Sequence, residues 1–260
     1  MKKLLFDKKF NIVYSLLAVL LMWAVWLIVG AAVNNEFYVA PFTPSAREFF
    51  ALFAKAFFWK ALAHTLLRTL ACFAISFALA LACACLAALF APFAAFMRPQ
   101  VALFRSLPTM AVLLLIIVWL TPRTAPVAVA MMVLFPMIYS QLYEGISGVD
   151  GGLLDMAKVY RLSKTEKLKY IYLPHIMPSI VENTGVNISF GLKLIISAEV
   201  MASTYTALGG MMSEAQNYYN LPRLAALTLV AVIFGIAIEL AFRALSQSLF
   251  KWRRTGNDSA

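Results

Sequence analysis

Charge is what this 260-residue sequence has least of: Asp, Glu, Lys and Arg make up 13% of it, against about 25% in ordinary soluble domains. Hydrophobic residues fill 63%, and mean hydropathy is +0.82. A chain of this size cannot hide so much apolar surface from water, which excludes a soluble enzyme. Acids are scarcer than bases, 12 against 22, for a net charge of +10. That balance does not mark a nucleic-acid binder, because the bases sit at the ends of apolar runs and form no aromatic-interleaved face. Their placement fits topology signals and contacts with anionic membrane lipid. The three cysteines, Cys72, Cys83 and Cys85, share one apolar run. An odd number there excludes a disulfide framework, and no His or acid stands near them to complete a metal site. The two histidines, His64 and His175, lie apart, so no Ser/His/Asp or Cys/His set is available. No GxxxxGK[ST] phosphate loop occurs, so the chain is not an ATPase and holds no cofactor of its own. No Gly/Ser/Pro-rich linker divides it, which makes 1–260 a single transmembrane domain.

What is present is a series of apolar runs near the length that spans a bilayer, roughly 20 residues. The pattern predicts an all-α integral membrane protein with about six spans. The first, Asn11–Val33, follows Lys2, Lys3, Lys8 and Lys9 and is too long for a signal-peptide core, so it reads as an uncleaved span. Asn34–Lys60 is a connecting segment whose Phe57, Phe58 and Trp59 suit an interfacial helix. The second span, Ala61–Ala91, is rich in small residues that permit close helix approach. Pro92–Pro99 reads as a turn, Val101–Leu120 as span three with Pro108 inside, and Thr121–Pro126 as a turn. Val127–Tyr143, interrupted by Pro136, is span four; Ile180–Met201 is span five and Leu224–Phe250 span six.

The longest polar stretch, Glu144–Pro178, interrupts this series. Its pattern is that of folded helices. Asp150 is placed to cap a short helix with Leu153, Met156, Ala157 and Tyr160 on one apolar stripe. Ser163 and Glu166 form a capping box for a second helix with Leu168, Ile171 and Tyr172 on its apolar side, and Pro174 is expected to stop it. Lys158, Arg161, Lys164, Lys167 and Lys169 lie on these helices, which together read as a docking loop. Six spans put both termini and this loop on one side. Most of the 22 Lys and Arg fall there, including Arg98, Arg105, Lys251, Arg253 and Arg254. By the positive-inside rule that side is the cytoplasm.

Span five is unusually polar. Glu182, Asn183, Asn187, Ser189, Lys193 and Ser197 fall within about one half of a helix at 100° per residue. Glu199 lies about 240° round from Lys193, so a regular helix does not pair the two. Glu239 and Arg243, one turn apart in span six, read as an intrahelical pair.

Leu154-Asp155-Met156-Ala157, followed by Ile171-Tyr172-Leu173-Pro174, resembles the EAA loop of ABC-transporter permeases. Further motifs follow in the same order over residues 60–250: His64-Thr65 with Arg68, Arg105-Ser106-Leu107-Pro108, Phe135-Pro136, Ala198-Glu199 and Leu208-Gly209. The collinear set is similar to the nitrate/sulfonate/taurine-type importer permeases. Asp155 and Met156 depart from the usual Glu and Ala, and Arg161 stands where the family has glycine. A left-handed joint at an arginine costs roughly 1–2 kcal/mol, so the joint is expected to be shaped differently here.

The resemblance implies a multi-pass permease subunit of the bacterial inner membrane, with both termini cytoplasmic. It also implies two copies of this permease domain, an external solute-binding protein, and ABC ATPase subunits that bind ATP and Mg. With one docking loop per copy a homodimer is the simplest arrangement, and a heterodimer with a similar permease is the alternative. The 144–180 loop would be the coupling loop, with Leu153, Asp155, Met156, Ala157, Lys158, Tyr160, Arg161, Leu173 and Pro174 at the ATPase contact. Asn183, Asn187, Lys193, Ser197 and Glu199 would line the translocation path, Lys193 favouring an anionic solute. The competing reading of those polar residues is interhelical bonding, with Lys193 paired to an acid or reaching an interface. The substrate class implied is a small anion or a vitamin-like heterocycle. Two other functions fit parts of the chain. An ion-coupled secondary transporter would use Glu199 and Lys193, but internal symmetry between halves is not visible. A membrane scaffold would explain the loop but not the polar span.

Overall fold

The computed structural model describes residues 8–33 and 38–249. Lys2, Lys3, Lys251, Arg253 and Arg254, used above for topology, lie outside the described residues, as do residues 34–37 of the connecting segment. Every element is helical: α1 Lys8–Val33, α2 Phe42–Phe53, α3 Ala56–Leu89, α4 Ala91–Ser106, α5 Thr109–Trp119, α6 Ala125–Ser147, α7 Gly151–Val159, α8 Lys164–Lys167, α9 Leu173–Met201, α10 Leu208–Asn217 and α11 Leu221–Leu249. Five of these are long and apolar enough to cross a membrane, or six if the bent pair α4 and α5 counts as one span.

Small residues bring α3 and α6 together. Cys72, Ser76, Ala80 and Ala84 recur every four residues along α3 and are fully buried. With no long side chains on that stripe, Ala130, Leu134 and Ile138 of α6 pack directly against it. A second cluster joins Leu52 of α2 and Phe58 and Leu62 of α3 to Leu192 and Ile196 of α9, Leu208 and Met211 of α10, and Leu227 and Val230 of α11. Phe58, expected at an interface, is therefore fully buried. Gly185 lets α9 meet α11 closely, since a Cβ there would stand 2.5 Å from Cβ of Phe242.

Four proline expectations change. Span three is not continuous: α4 and α5 meet at 94°. Pro108 has no N–H and drives the preceding Leu107 to ψ 129, out of the helical region. The segment Pro92–Pro99, expected to turn, is part of α4, because Pro92 sits in the first helical turn where its missing donor costs nothing. Pro174 does not stop the chain either. Leu168–Tyr172 forms a π-helical turn that runs directly into α9. The wide turn before Pro174 makes room for its ring. Pro136 leaves α6 unbroken, and the Ser140 hydroxyl donates to the Pro136 carbonyl at 2.9 Å.

Candidate functional site

The connector between α6 and α9 forms as its capping signals require. Asp150 accepts from the Gly152 N–H at 3.2 Å. The Glu166 carboxylate accepts from the Ser163 N–H at 2.8 Å and the Ser163 hydroxyl at 2.7 Å, and the Glu166 N–H donates back to Ser163 Oγ at 3.3 Å. These bonds to Ser163 hold the Glu166 carboxyl below its ordinary range. Lys158 bonds Asp155 at 2.8 Å, which lowers the aspartate and raises the lysine. Both are fully exposed, so the pair orders the surface without adding much stability.

The joint after α7 departs from expectation. Arg161 is left-handed, with φ 52. Leu162 N–H bonds the Ala157 carbonyl at 2.9 Å and Arg161 N–H bonds that of Lys158 at 3.0 Å, a complete Schellman cap. The two bonds offset the strain of a side chain in the left-handed region, so arginine occupies a joint that suits glycine.

Of the residues expected at the docking contact, Leu153, Asp155, Met156, Lys158, Tyr160, Arg161, Leu173 and Pro174 are exposed. Ala157 is not: it is 1% exposed within the chain itself. It belongs to the inner side of α7, and the outward apolar group is Leu153, Met156, Val159 and Tyr160, with Leu168 and Tyr170 on the following helix.

At the far end of α9 the chain builds a buried polar knot. Glu199 is fully buried and meets Arg68 at 2.8 Å. Its other oxygen accepts from the Thr65 hydroxyl at 2.8 Å and the Gly209 N–H at 3.2 Å. Thr65 in turn accepts from the Leu208 N–H at 2.9 Å. A Cβ on Gly209 would lie 2.5 Å from both Glu199 Cβ and the Ile196 carbonyl, so only glycine brings this backbone so close. Ser203 turns the chain at φ 48, and Thr204 donates to the Pro122 carbonyl at 2.7 Å. Thr65, Arg68, Glu199, Leu208 and Gly209, dispersed motif pieces in the sequence, converge here. Sequence reasoning ordered them correctly but did not bring them together.

The five candidate path residues do not share one surface. Asn187 is buried and exchanges two amide hydrogen bonds with Gln141, at 2.9 and 3.3 Å. Asn183 lines a small cleft beside it with Ser179 and Thr184. Glu199 is in the knot. Lys193 and Ser197 are exposed, on one stripe with Glu182 and Val186. Among the described residues Lys193 has no ion pair. Glu239 and Arg243 are exposed and form no ion pair among the described residues, so the expected intrahelical link is not made. No group of His, Cys, Asp and Glu among the described residues gathers to hold a metal.

Residues 74–251 match the family described as "Binding-protein-dependent transport system inner membrane component". A protein of Bacillus subtilis (strain 168) named as an aliphatic sulfonates transport permease, SsuC, is 26% identical over 164 residues, 62% of this chain and 58% of its own length. The taurine transport system permease protein TauC of Escherichia coli (strain K12) is 24% identical over 155 residues, 59% and 56% of the two lengths. The chain thus spans less than two thirds of these relatives. In fold it is similar to a chain of an amino acid ABC transporter crystallised with histidines: TM-score 0.61, 20% identity, covering 76% of this chain and 94% of that one. A chain of the MetNI methionine ABC transporter, inward facing, gives 0.60 at 17% identity, covering 72% and 94%.

Proposed function

We infer a role in solute import from the family to which this chain belongs, the inner membrane components of binding-protein-dependent transport systems. The chain is the membrane-spanning subunit of an ATP-driven importer. It works as one of two permease copies, receives solute from a binding protein outside, and takes energy from ATP-binding subunits inside. The observation that carries this reading is the capped connector, α7 to the π-helical turn. It presents Met156 at 52% exposure and Tyr160 at 72%, beside Lys158 and Arg161. An exposed apolar patch rimmed by charge is a docking surface. The capped turn at Arg161 ties α7 to an unbroken helical run from Lys164 through the π turn into α9. This supports a mechanical role, since motion that crosses the turn passes into α9 without a further break. Closure of the ATP-binding pair then tilts α9 and switches the access of the path.

An anionic solute fits best. Among the described residues Lys193 has no ion pair, and an ammonium on an exposed face of a spanning helix belongs on a wet path. The stripe Glu182, Val186, Lys193 and Ser197 faces away from its own bundle, as expected of a surface shared with a second copy. Relatives named for aliphatic sulfonates and taurine agree with an organic anion of sulfonate type. The test is co-purification: the tagged chain, expressed with its native neighbours, should retain an ATP-binding protein. Recovery of the folded chain with no such partner under conditions that preserve complexes would defeat the reading.

A further inference from the structure

A groove of about 240 Å³ runs between α4 and α6 on the connector's side of the bundle. Arg98 and Arg105 stand seven residues apart on α4, two helical turns, and so share one edge of it. Both are exposed, and neither forms a hydrogen bond or ion pair among the described residues. The opposite wall is a rigid aromatic stack: the rings of Tyr139 and Tyr143 lie 5.9 Å apart at an interplanar angle of 5°. Ser140 spends its proton on the Pro136 carbonyl, which leaves the guanidinium groups and tyrosine hydroxyls as donors. Glu144 is the one carboxylate lining the groove, so two cations face one anion.

We propose that this groove is a binding site for a phosphate-type oxyanion, carried there by an anionic phospholipid headgroup. Guanidinium forks match tetrahedral oxyanions, and two of them on one helix edge bracket a single headgroup. A groove of this volume has room for a phosphate with a small attached group. The other face of α4 exposes Phe96 at 59% and Leu103 at 57%. Apolar groups there rest among acyl chains while the groove meets the headgroups. Tyr143 and Glu144 lie about one turn from the end of α6 that leads into the connector, the basic side, where anionic lipid is concentrated. The inference needs only that the chain resides in a membrane and stands apart from the transport reading.

The test uses the purified full chain in nanodiscs of phosphatidylcholine, with or without phosphatidylglycerol, and counts retained lipid by native mass spectrometry. Wild type should retain phosphatidylglycerol selectively. The double variant R98Q/R105Q should bind it roughly 30-fold more weakly, the factor for two basic residues at an anionic surface. R123Q, outside the groove, should match wild type. Thermal melting checks folding, and R98K/R105K, which keeps charge and loses the fork, should fall between the two. Retention unaffected by excess inorganic phosphate supports the lipid. Binding of inorganic phosphate by wild type in phosphatidylcholine alone, lost in R98Q/R105Q, supports the site with a soluble oxyanion as its ligand. Equal retention by wild type and R98Q/R105Q, with no phosphate bound by either, overturns it.

Discussion

Arg68 and Glu199 are 131 residues apart in the chain and 2.8 Å apart in the fold. The carboxylate is fully buried and the arginine side chain only 16% exposed. Such a pair is costly to assemble and more costly to break, because removing one partner strands the other charge. Around it, Thr65 and Gly209 donate to the second carboxylate oxygen and the Leu208 N–H donates to Thr65, and together they fasten α3, α9 and α10 at one end of the bundle.

Breaking this pair on one side should therefore cost more than removing it. Glu199→Met or Arg68→Met alone is expected to destabilise the bundle by about 3–5 kcal/mol. The double variant Arg68→Met/Glu199→Met should recover a good part of that loss. A double-variant cycle on detergent-solubilised protein measures it. Additive losses would mean the two side chains do not act as a unit.

The exposed face of α7 gives a second prediction. Met156→Asp would put a carboxylate in an apolar contact without a partner, at roughly 1–3 kcal/mol. Affinity for the ATP-binding subunit should fall about ten- to a hundredfold, with the membrane part still folded. Ala157→Asp should behave differently: Ala157 is buried in the chain itself, so that variant should lose stability before it loses a partner. Titration of the partner beside a thermal melt distinguishes them. Unchanged affinity in Met156→Asp would remove this face from the contact.

Orientation can be read chemically. Lys169 and Asn217 are exposed at opposite ends of α9 and its neighbours. A cysteine replacing Lys169 should be labelled only from the cytoplasm, and one replacing Asn217 only from outside. The native cysteines need replacing first, as Cys85 is exposed. The reverse labelling would separate the connector from the compartment that holds ATP.

Local rules made much of this molecule legible. Asp150, Ser163 and Glu166 cap their helices as their spacing requires, because a cap is decided within four residues. The small residues of α3 likewise signalled close helix approach, which α6 meets in the fold without having been named by the pattern. The prolines misled, since a single proline is a stop, a kink or an innocuous first-turn residue according to neighbours that tertiary packing sets. Pro108 breaks the helix, Pro174 does not, and the sequence around them does not distinguish the cases. Arg161 misled because strain was weighed without the two capping bonds that offset it. The knot around Glu199 lay out of reach for another reason: helical periodicity says which residues share a face, never which distant helix that face meets.

Lys193 supplies the last prediction. It sits on α9, well inside a helix long enough to span, where an unpaired ammonium costs about 2.5–3.5 kcal/mol on insertion scales. An acid within the bundle would offset that cost, but among the described residues Lys193 is exposed and has no ion pair, and Glu199 belongs to Arg68. What remains is water, solute or a second copy across the exposed stripe. Lys193→Met keeps the length and removes the charge. The variant should melt at or above the wild-type temperature, because no buried acid is stranded by the change. Transport of an anionic solute by the reconstituted complex should fall at least tenfold, while docking of the ATP-binding subunit stays intact. A drop in melting temperature only when two copies are associated would instead identify an acid on the second copy as the partner. Full transport at unchanged stability would leave Lys193 as a residue that snorkels to the interface, and the path would have to be sought on another face of α9.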